Sequence, residues 1–578
     1  MSTEPAELRS NELWLLRNLP LRLVIPVALL AVATSLVVIA FGAPWWAAVS
    51  AGAVPAVIGL TPIGGTPMGL RVGRWVAYRW RQFRHRPQVD DEAIVDLPLP
   101  EGGSYGVRWD GTLITTMLRI DPPPDTLTLL RRGSLSTDQM LPLIDIANCL
   151  RQYDVELDSV DVISTGTRTA GTDAVASGYA ASVAHLGHMY DEILGPLPAI
   201  AHRTVWILVR LNPLANAKAV QNRGGGPEGV LRSAITATRR VTNRLAAQGI
   251  TASVLTSSEM TAALREVTRG VPAEEFEESA NSLSHGKVHL TTYKIGNDLF
   301  NSDGLAKLWA VHSLATTVTV RLRPVSETYA RTGAERDNIE VDARVRYDTI
   351  GEWDVPPVEG LRKLPRRQMW ALMDTLAFDP NNIYEAGYRG PATALSDVAV
   401  PTAGCGQLIG ASASGSGVAV PLIGSGSRRI EIIASLPLAQ QTILRAIALG
   451  AGAVVYTSRP AAWQRMIANV SAPHAISLAS SITNSARHQT MSANTPHPAA
   501  IMIVFDGVPT TTPPGSATVI TVRDRISHDH QFDADVTIVQ HPNDLQSVTV
   551  YTPATRTTVR QVTTPAEQQL IGAVPLRR

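Results

Sequence analysis

Residues 23–41 read LVIPVALLAVATSLVVIAF and residues 45–61 read WWAAVSAGAVPAVIGLT, with Gly42, Ala43 and Pro44 between them. No charged residue stands between Arg22 and Arg71. At 1.5 Å of rise per residue the first stretch reaches roughly 28 Å, close to the hydrocarbon thickness of a bilayer. The second is at the short end of the usable range. The sequence therefore predicts two transmembrane helices, 23–41 and 45–61, joined by a tight uncharged turn. Arg17 and Arg22 precede the first, and Arg71, Arg74, Arg79, Arg81, Arg84 and Arg86 follow the second. The positive-inside rule then places both termini and the bulk of the chain in the cytoplasm, giving a multi-pass plasma membrane protein. Arg22, Arg71, Arg74, Trp45 and Trp46 are the candidate membrane-interface residues. Ala47/Ala51 and Ala48/Gly52 put small residues at i,i+4, the spacing that lets two helices approach closely. A secretory signal peptide is the poorer reading: the first stretch exceeds a 7–15-residue core, a second apolar stretch follows, and residues 1–22 carry no net charge.

Working outward, the 578 residues are 45% hydrophobic and 17% charged, with a formal charge of +1. Residues 1–86 hold nine Arg and three Glu, a net of +6, so the rest sums to −5. A mildly acidic body is not an electrostatic nucleic-acid binder, and lipid headgroups are the simpler partner for the Arg-rich exit. Only Cys149 and Cys405 are present, far apart, so neither a disulfide framework nor a thiolate metal site is indicated.

The remaining chain alternates strand and helix patterns. Residues 1–22 form a cytoplasmic N-terminus and 62–103 a basic membrane exit and linker. Residues 104–345 read as a first cytoplasmic domain, 346–399 as a connecting segment and 400–578 as a second domain. The fold class is two N-terminal transmembrane helices followed by α/β (or α+β) cytoplasmic domains. Tyr105, Val107 and Trp109, then Asp110-Gly111, then Leu113–Ile120 predict a β-hairpin. Thr137 can cap a helix running through Leu141, Ile144, Ala147 and Leu150. In the second domain Ile430–Ile433, Ala453–Thr457 and Ile501–Phe505 read as strands, with helices over Leu438–Leu449 and Pro460–Val470, predicting a mostly parallel core with added strands.

No motif for catalysis emerges. The single Gly-Lys pair, Gly286-Lys287, is followed by Val288, so a phosphate-cradling loop ending in Gly-Lys-Ser/Thr is absent. Ile501–Phe505 ending in Asp506 has the form of a Walker B strand, but its partner motif is missing. Gly450-Ala451-Gly452 follows a helix and precedes a strand, the reverse of a dinucleotide fingerprint. His185, His188, Asp191 and Glu192 share a helical face, which is more simply solvated than metal-binding. His528, His530, Asp533 and Asp535 are the weak metal candidates, and Asp533-Ala534-Asp535 matches the D-x-D pattern of glycosyltransferases. That pattern carries the enzyme alternative, a membrane-tethered glycosyltransferase. A polar loop between strands explains the same residues.

Several segments resemble EccE, a membrane component of the actinobacterial type VII (ESX) secretion machinery. They run from Leu141-Pro142-Leu143 to Tyr153-Asp154-Val155-Glu156-Leu157-Asp158-Ser159-Val160, and over Thr204–Leu211 and Thr291–Ile295 with Trp309. In the second half Leu438-Ala439-Gln440, Leu444-Arg445-Ala446, Val454–Thr457, Arg459-Pro460 and Trp463 are similar. The resemblance implies a non-catalytic subunit that contributes to assembly or stability of a secretion complex, needs no cofactor, and partners with EccB, EccC and EccD-like subunits and a MycP-like protease. In that family EccC supplies the ATPases. No catalytic residues are carried over.

Overall fold

The computed structural model describes residues 7–10, 21–63, 66–69, 72–73, 75–76, 79 and 94–571, apart from 100–101, 124–126, 133, 138–139, 170–177, 326–337, 377–386, 424–427, 480–499, 511–516 and 526–531. The N-terminal apolar stretches fold as helices α1 (Leu21–Ala40) and α2 (Trp45–Leu60). They pack against each other as a hairpin closed by Gly42, whose φ is +76°. Among the described residues no helix is long and apolar enough to cross a membrane. The expected transmembrane helices 23–41 and 45–61, and the multi-pass placement built on them, are therefore corrected to a helical hairpin. The physical reason lies in the bounds. Pro44 and Pro62 bracket α2 and hold it to 16 residues, roughly 24 Å, against about 30 Å of hydrocarbon. In α1, Arg22 falls inside the first turn and Pro26 one turn later.

Among the described residues the principal strands form two large sheets, beside three two-stranded ones. In chain order they are β1 (Ile94–Pro98), β2 (Ser104–Trp109), β3 (Ile114–Ile120), β4 (Thr128–Arg131), β5 (Ser134–Thr137), β6 (Ser159–Thr167), β7 (His202–Leu211), β8 (Val288–Ile295), β9 (Ala315–Pro324) and β10 (Asn338–Ile350). They continue as β11 (Gln407–Ala411), β12 (Gly417–Val420), β13 (Arg429–Ile433), β14 (Ala451–Thr457), β15 (Ile476–Leu478), β16 (Ala500–Asp506), β17 (Thr518–Arg523), β18 (Val536–His541), β19 (Asp544–Tyr551) and β20 (Arg556–Gln561). Helices α3 (Gly178–Leu194), α4 (Gly226–Ala247), α5 (Ser257–Val267), α6 (Gln368–Thr375), α7 (Leu436–Ala448), α8 (Pro460–Val470) and α9 (Pro565–Ile571) cover them.

The first sheet runs β1-β2-β3-β7-β6-β9-β10-β8 and these strands pair antiparallel. Its apolar face is set by period-two alternation: Val160, Val162, Ile207, Val209, Val320, Val341, Val345 and Tyr347 are all buried. α4 lays Ala234, Ala237, Val241 and Leu245 into the same core. α5, started by a capping box between Thr256 and Glu259, packs Met260, Leu264 and Val267 in a second cluster with Trp206 and Leu208.

The second sheet runs β15-β14-β16-β17-β13-β18-β19-β20-β11-β12-β4-β5. The stretch from β15 to β18 is parallel and the rest antiparallel. Two expectations change here. Residues 134–137 form a strand, and the helix that follows is only Leu143–Ala147. The β4–β5 hairpin leaves the first sheet's chain segment and extends the second sheet, because β4 finds its partner in β12.

Candidate functional site at the carboxyl edge of the second sheet

β16 is the acid-ended strand, and parallel register sets Asp506 beside Thr457 on β14 and Val522 on β17. The Asp506 side chain has no exposure. It accepts from Thr457 Oγ1 at 2.7 Å, from Trp463 Nε1 at 2.8 Å and from Arg459 Nη2 at 2.6 Å, with Arg459 Nε at 3.0 and 3.1 Å. Arg459 precedes α8, Pro460 opens that helix, and Trp463 stands one turn in, so a single strand-to-helix turn delivers two of the donors. Arg459 Nη2 also lies 3.0 Å from Asp524 Oδ1. Burial alone would raise the Asp506 pKa. Hydrogen bonds from Arg459, Trp463 and Thr457 outweigh it and hold the carboxyl below its ordinary value. Hydrogen bonding to Asp506 in turn raises the Arg459 pKa. Both groups are charged at neutral pH, and both Asp506 oxygens are engaged, so neither is available as a general base.

In the neighbouring turn from β13 to α7 two backbone N–H groups are engaged. Ala434 N donates to Arg523 O at 2.9 Å, Ser435 N donates to Gln540 Oε1 at 2.9 Å, and Pro437 has no N–H. A phosphate-binding turn offers several free backbone N–H groups on a Gly-rich loop.

The residues singled out from sequence are dispersed. His528 and His530 lie outside the described residues. Asp535 caps the start of β13 by accepting from Arg429 N at 2.8 Å, and the Asp533 carbonyl accepts from Arg429 Nη2 at 3.0 Å. These two acids are thus at the opposite end of the parallel strands from Asp506. Among the described residues no group of three or more His, Cys, Asp or Glu could hold a metal. His185 meets Val470 O, His188 pairs with Glu192 in solvent, and Asp191 is taken by Arg168 at 2.7 Å and His312 at 3.0 Å. Gly286-Lys287 is the turn between His285 and β8. Cys149 and Cys405 are buried free thiols.

In the hairpin, Ala48 and Gly52 are buried while Ala47 and Ala51 are half-buried. Ser35 Oγ donates to Ala48 O at 3.0 Å, and a Cβ at Gly52 would come within 2.8 Å of Ala31 O. Trp45 and Trp46 are exposed by 77% and 61%. Arg71 and Arg74 lie outside the described residues, as does the side chain of Arg22.

Sequence reasoning missed a buried ion network on the first sheet's other face. Arg321 on β9 holds Asp161 at 2.9 Å and Asp374 of α6 at 2.7 Å, and Arg210 holds Asp161 at 2.6 Å. Arg344 joins Asp374 at 2.5 Å, pairs with Asp342, and lies 4.3 Å from the centre of the Trp370 ring. The signal was in β10. Glu340, Asp342, Arg344, Arg346 and Asp348 alternate with apolar residues, both signs on one face, a pattern that can close on itself.

Part of this first sheet lies in a segment that matches a known family. The family described as "Putative type VII ESX secretion system translocon, EccE" matches residues 199–295, which contain β7, α4, α5 and β8. The chain is related to the EccE family. It is 30% identical over 214 residues to "ESX-1 secretion system protein EccE1" of Mycobacterium tuberculosis, covering 36% of this chain and 43% of that protein. "ESX-5 secretion system protein EccE5" of Mycobacterium marinum is 27% identical over 280 residues, 47% of this chain and 64% of that one. "ESX-2 secretion system protein EccE2" of Mycobacterium tuberculosis is 22% identical over 383 residues, 65% of each. The match thus spans under half the length of the EccE1 relative. Arg210 on β7 and Lys294 on β8, two members of the ion network, belong to the EccE-like segment.

Proposed function

We propose that this chain is a non-catalytic subunit of a type VII (ESX) secretion complex, contributing to its assembly or stability. The observation that carries the reading is the EccE match over residues 199–295, together with relatives named as ESX-1, ESX-5 and ESX-2 secretion proteins. The sealed carboxyl edge supports it: the acid that a nucleotide-driven motor would use is bound by its own chain. Asp535 holding a strand end leaves the D-x-D pair a structural role. Partners in this reading are EccB, EccC and EccD-like subunits and a MycP-like protease, at the plasma membrane, with the bulk of the chain on the cytoplasmic side. The hairpin ridge of Phe41, Trp45 and Trp46 is the surface assigned to the apolar helices of those subunits.

Affinity purification of the tagged full chain from native membranes tests this. Co-purification of EccB, EccC and EccD-like subunits is the expected result. Recovery of the chain by itself under conditions that preserve the other subunits' complex would remove the proposal.

A further inference from the structure

The winding of the parallel half of the second sheet carries a second message. In chain order its strands are β13, β14, β15, β16, β17 and β18, and in space they run β15-β14-β16-β17-β13-β18. From β13 the chain crosses to β14 on one side. From β17, the neighbour of β13, it crosses to β18 on the other side. Ligands of open parallel sheets bind outside the carboxyl ends at such a reversal. Here that edge carries the β13–α7 turn and, two strands away, the acid at the end of the apolar strand β16. A strand leading directly into a helix, with an apolar strand ending in Asp two places along the sheet, is the winding of P-loop nucleotide folds. In such folds the acid serves the magnesium of the bound nucleotide.

We propose that β13–β18 is a nucleotide fold closed from within, in which the Arg459 guanidinium occupies the position of the divalent cation. Four features support this. The guanidinium contacts both oxygens of Asp506 and reaches a second acid, Asp524, as a bridging cation would. Thr457 Oγ1 adds a hydroxyl at 2.7 Å from the same carboxylate. Trp463 covers Asp506 and has no exposure of its own. At the phosphate end the Arg523 carbonyl and Gln540 take two backbone N–H groups of the β13–α7 turn, those of Ala434 and Ser435. The module is thereby fixed in one state, and its surface is indifferent to nucleotide. This inference does not rest on the secretion reading, and either can fail alone.

Removing the internal cation should open the site. In Arg459→Ala the two carboxylates and the Thr457 hydroxyl are left without their counter-charge, an oxygen-rich set suited to a hard divalent ion. The experiment uses the purified full chain with MnCl2 as probe, following loss of the free-ion electron paramagnetic resonance signal and the thermal midpoint by circular dichroism. The wild type is expected to take up no Mn2+ and to show no midpoint shift with MnCl2, MgATP or MgADP. Arg459→Ala should bind Mn2+ and gain roughly 5–10 °C at a hundredfold excess over Kd. Arg459→Lys, which keeps a cation in place, should behave as wild type. Arg459→Ala combined with Asp506→Asn should lose the uptake. If Arg459→Ala is unfolded without metal, MnCl2 should restore its folded spectrum. Binding of MgATP by the wild type overturns the proposal, as does an Arg459→Ala chain that neither takes up Mn2+ nor is restored by it.

Discussion

Asp374 of α6 reaches across the first sheet's charged face to Arg321 of β9, with Oδ1 and Oδ2 at 2.7 and 2.9 Å from the same Nη1. The two are 5% and 4% exposed, and Arg344 joins the same carboxylate. A helix is thereby fastened to a sheet by ions in a place where most proteins use apolar packing. Such a pair adds little over a well-packed apolar substitute. Removing one member, however, strands the others in a low dielectric. Asp374→Ala is expected to lower stability by about 3–5 kcal/mol because Arg321 and Arg344 are left partly unpaired. Urea unfolding of the full chain, read at the midpoint with the slope held equal, measures it. A loss below about 1 kcal/mol would show that water replaces the carboxylate and that the network is not closed.

The same network predicts an acid sensitivity. At Asp161, Asp342 and Asp374 burial pushes the pKa up, and the surrounding Arg groups overcome it and hold each below the ordinary value. A carboxyl whose folded pKa is depressed contributes stability that is complete above its unfolded value, about 3.9, and is lost as pH falls through the folded one. Thermal midpoints should therefore be flat from pH 7 down to about 5 and fall steeply below about 4. Asp374→Ala, which lacks one of the three groups, should have a lower midpoint throughout and a shallower acid limb. An unchanged acid slope in that variant would exclude Asp374 as a source of the sensitivity.

Much of this architecture is legible in the sequence. Pro460–Val470 is marked by proline at its first position and apolar residues at helical spacing, and the helix has those bounds. The parallel core shows as short apolar strands separated by helices, and β13, β14 and β16 lie where those runs fall. Other parts depend on distant partners. Ser134–Thr137 is a strand because β4, beside it, pairs with β12, almost 300 residues along the chain, and no local periodicity encodes that. β10 alternates charged and apolar residues, and its charged face is buried because α6, from a distant part of the chain, brings Asp374 to it. The N-terminal stretches show how far hydropathy goes. It identifies helices, while the length of α2 is set by the prolines at 44 and 62. At the candidate site the acid-ended strand was visible, but its meaning rests on Arg459, a residue of a different strand-to-helix turn.

The hairpin's close approach rests on Gly52. A side chain there would run into Ser35 Oγ and the Ala31 carbonyl, and the second is backbone that cannot swing away. Gly52→Val should force α1 and α2 apart at a cost of about 1–3 kcal/mol. Ala53→Val, on the exposed neighbouring position, should be close to neutral. Hydrogen exchange of amides in Ala31–Ser35 and Ala48–Gly52 reports this directly. The Gly52 variant should exchange roughly 10–100-fold faster there, and the Ala53 variant at the native rate. Equal protection in both variants would mean that the helices are held by contacts other than the small-residue face.

The candidate site makes its own demand through Trp463, whose indole N–H donates to Asp506 at 2.8 Å while the ring fills the core beneath α8. Trp463→Phe keeps much of the ring and removes the donor. Asp506 then retains Arg459 and Thr457 but loses one bond in a fully buried position, which should cost about 1–3 kcal/mol. Part of that loss comes from volume, so the test needs a partner variant. In Asp506→Asn the charge is gone, and the indole faces a neutral amide with a weaker acceptor. The double variant should therefore lose less than the sum of the two single losses, by about 0.5–3 kcal/mol in a double-mutant cycle. Additive losses would show that the tryptophan stabilises α8 by packing alone, and that Asp506 is held by Arg459 and Thr457 without it.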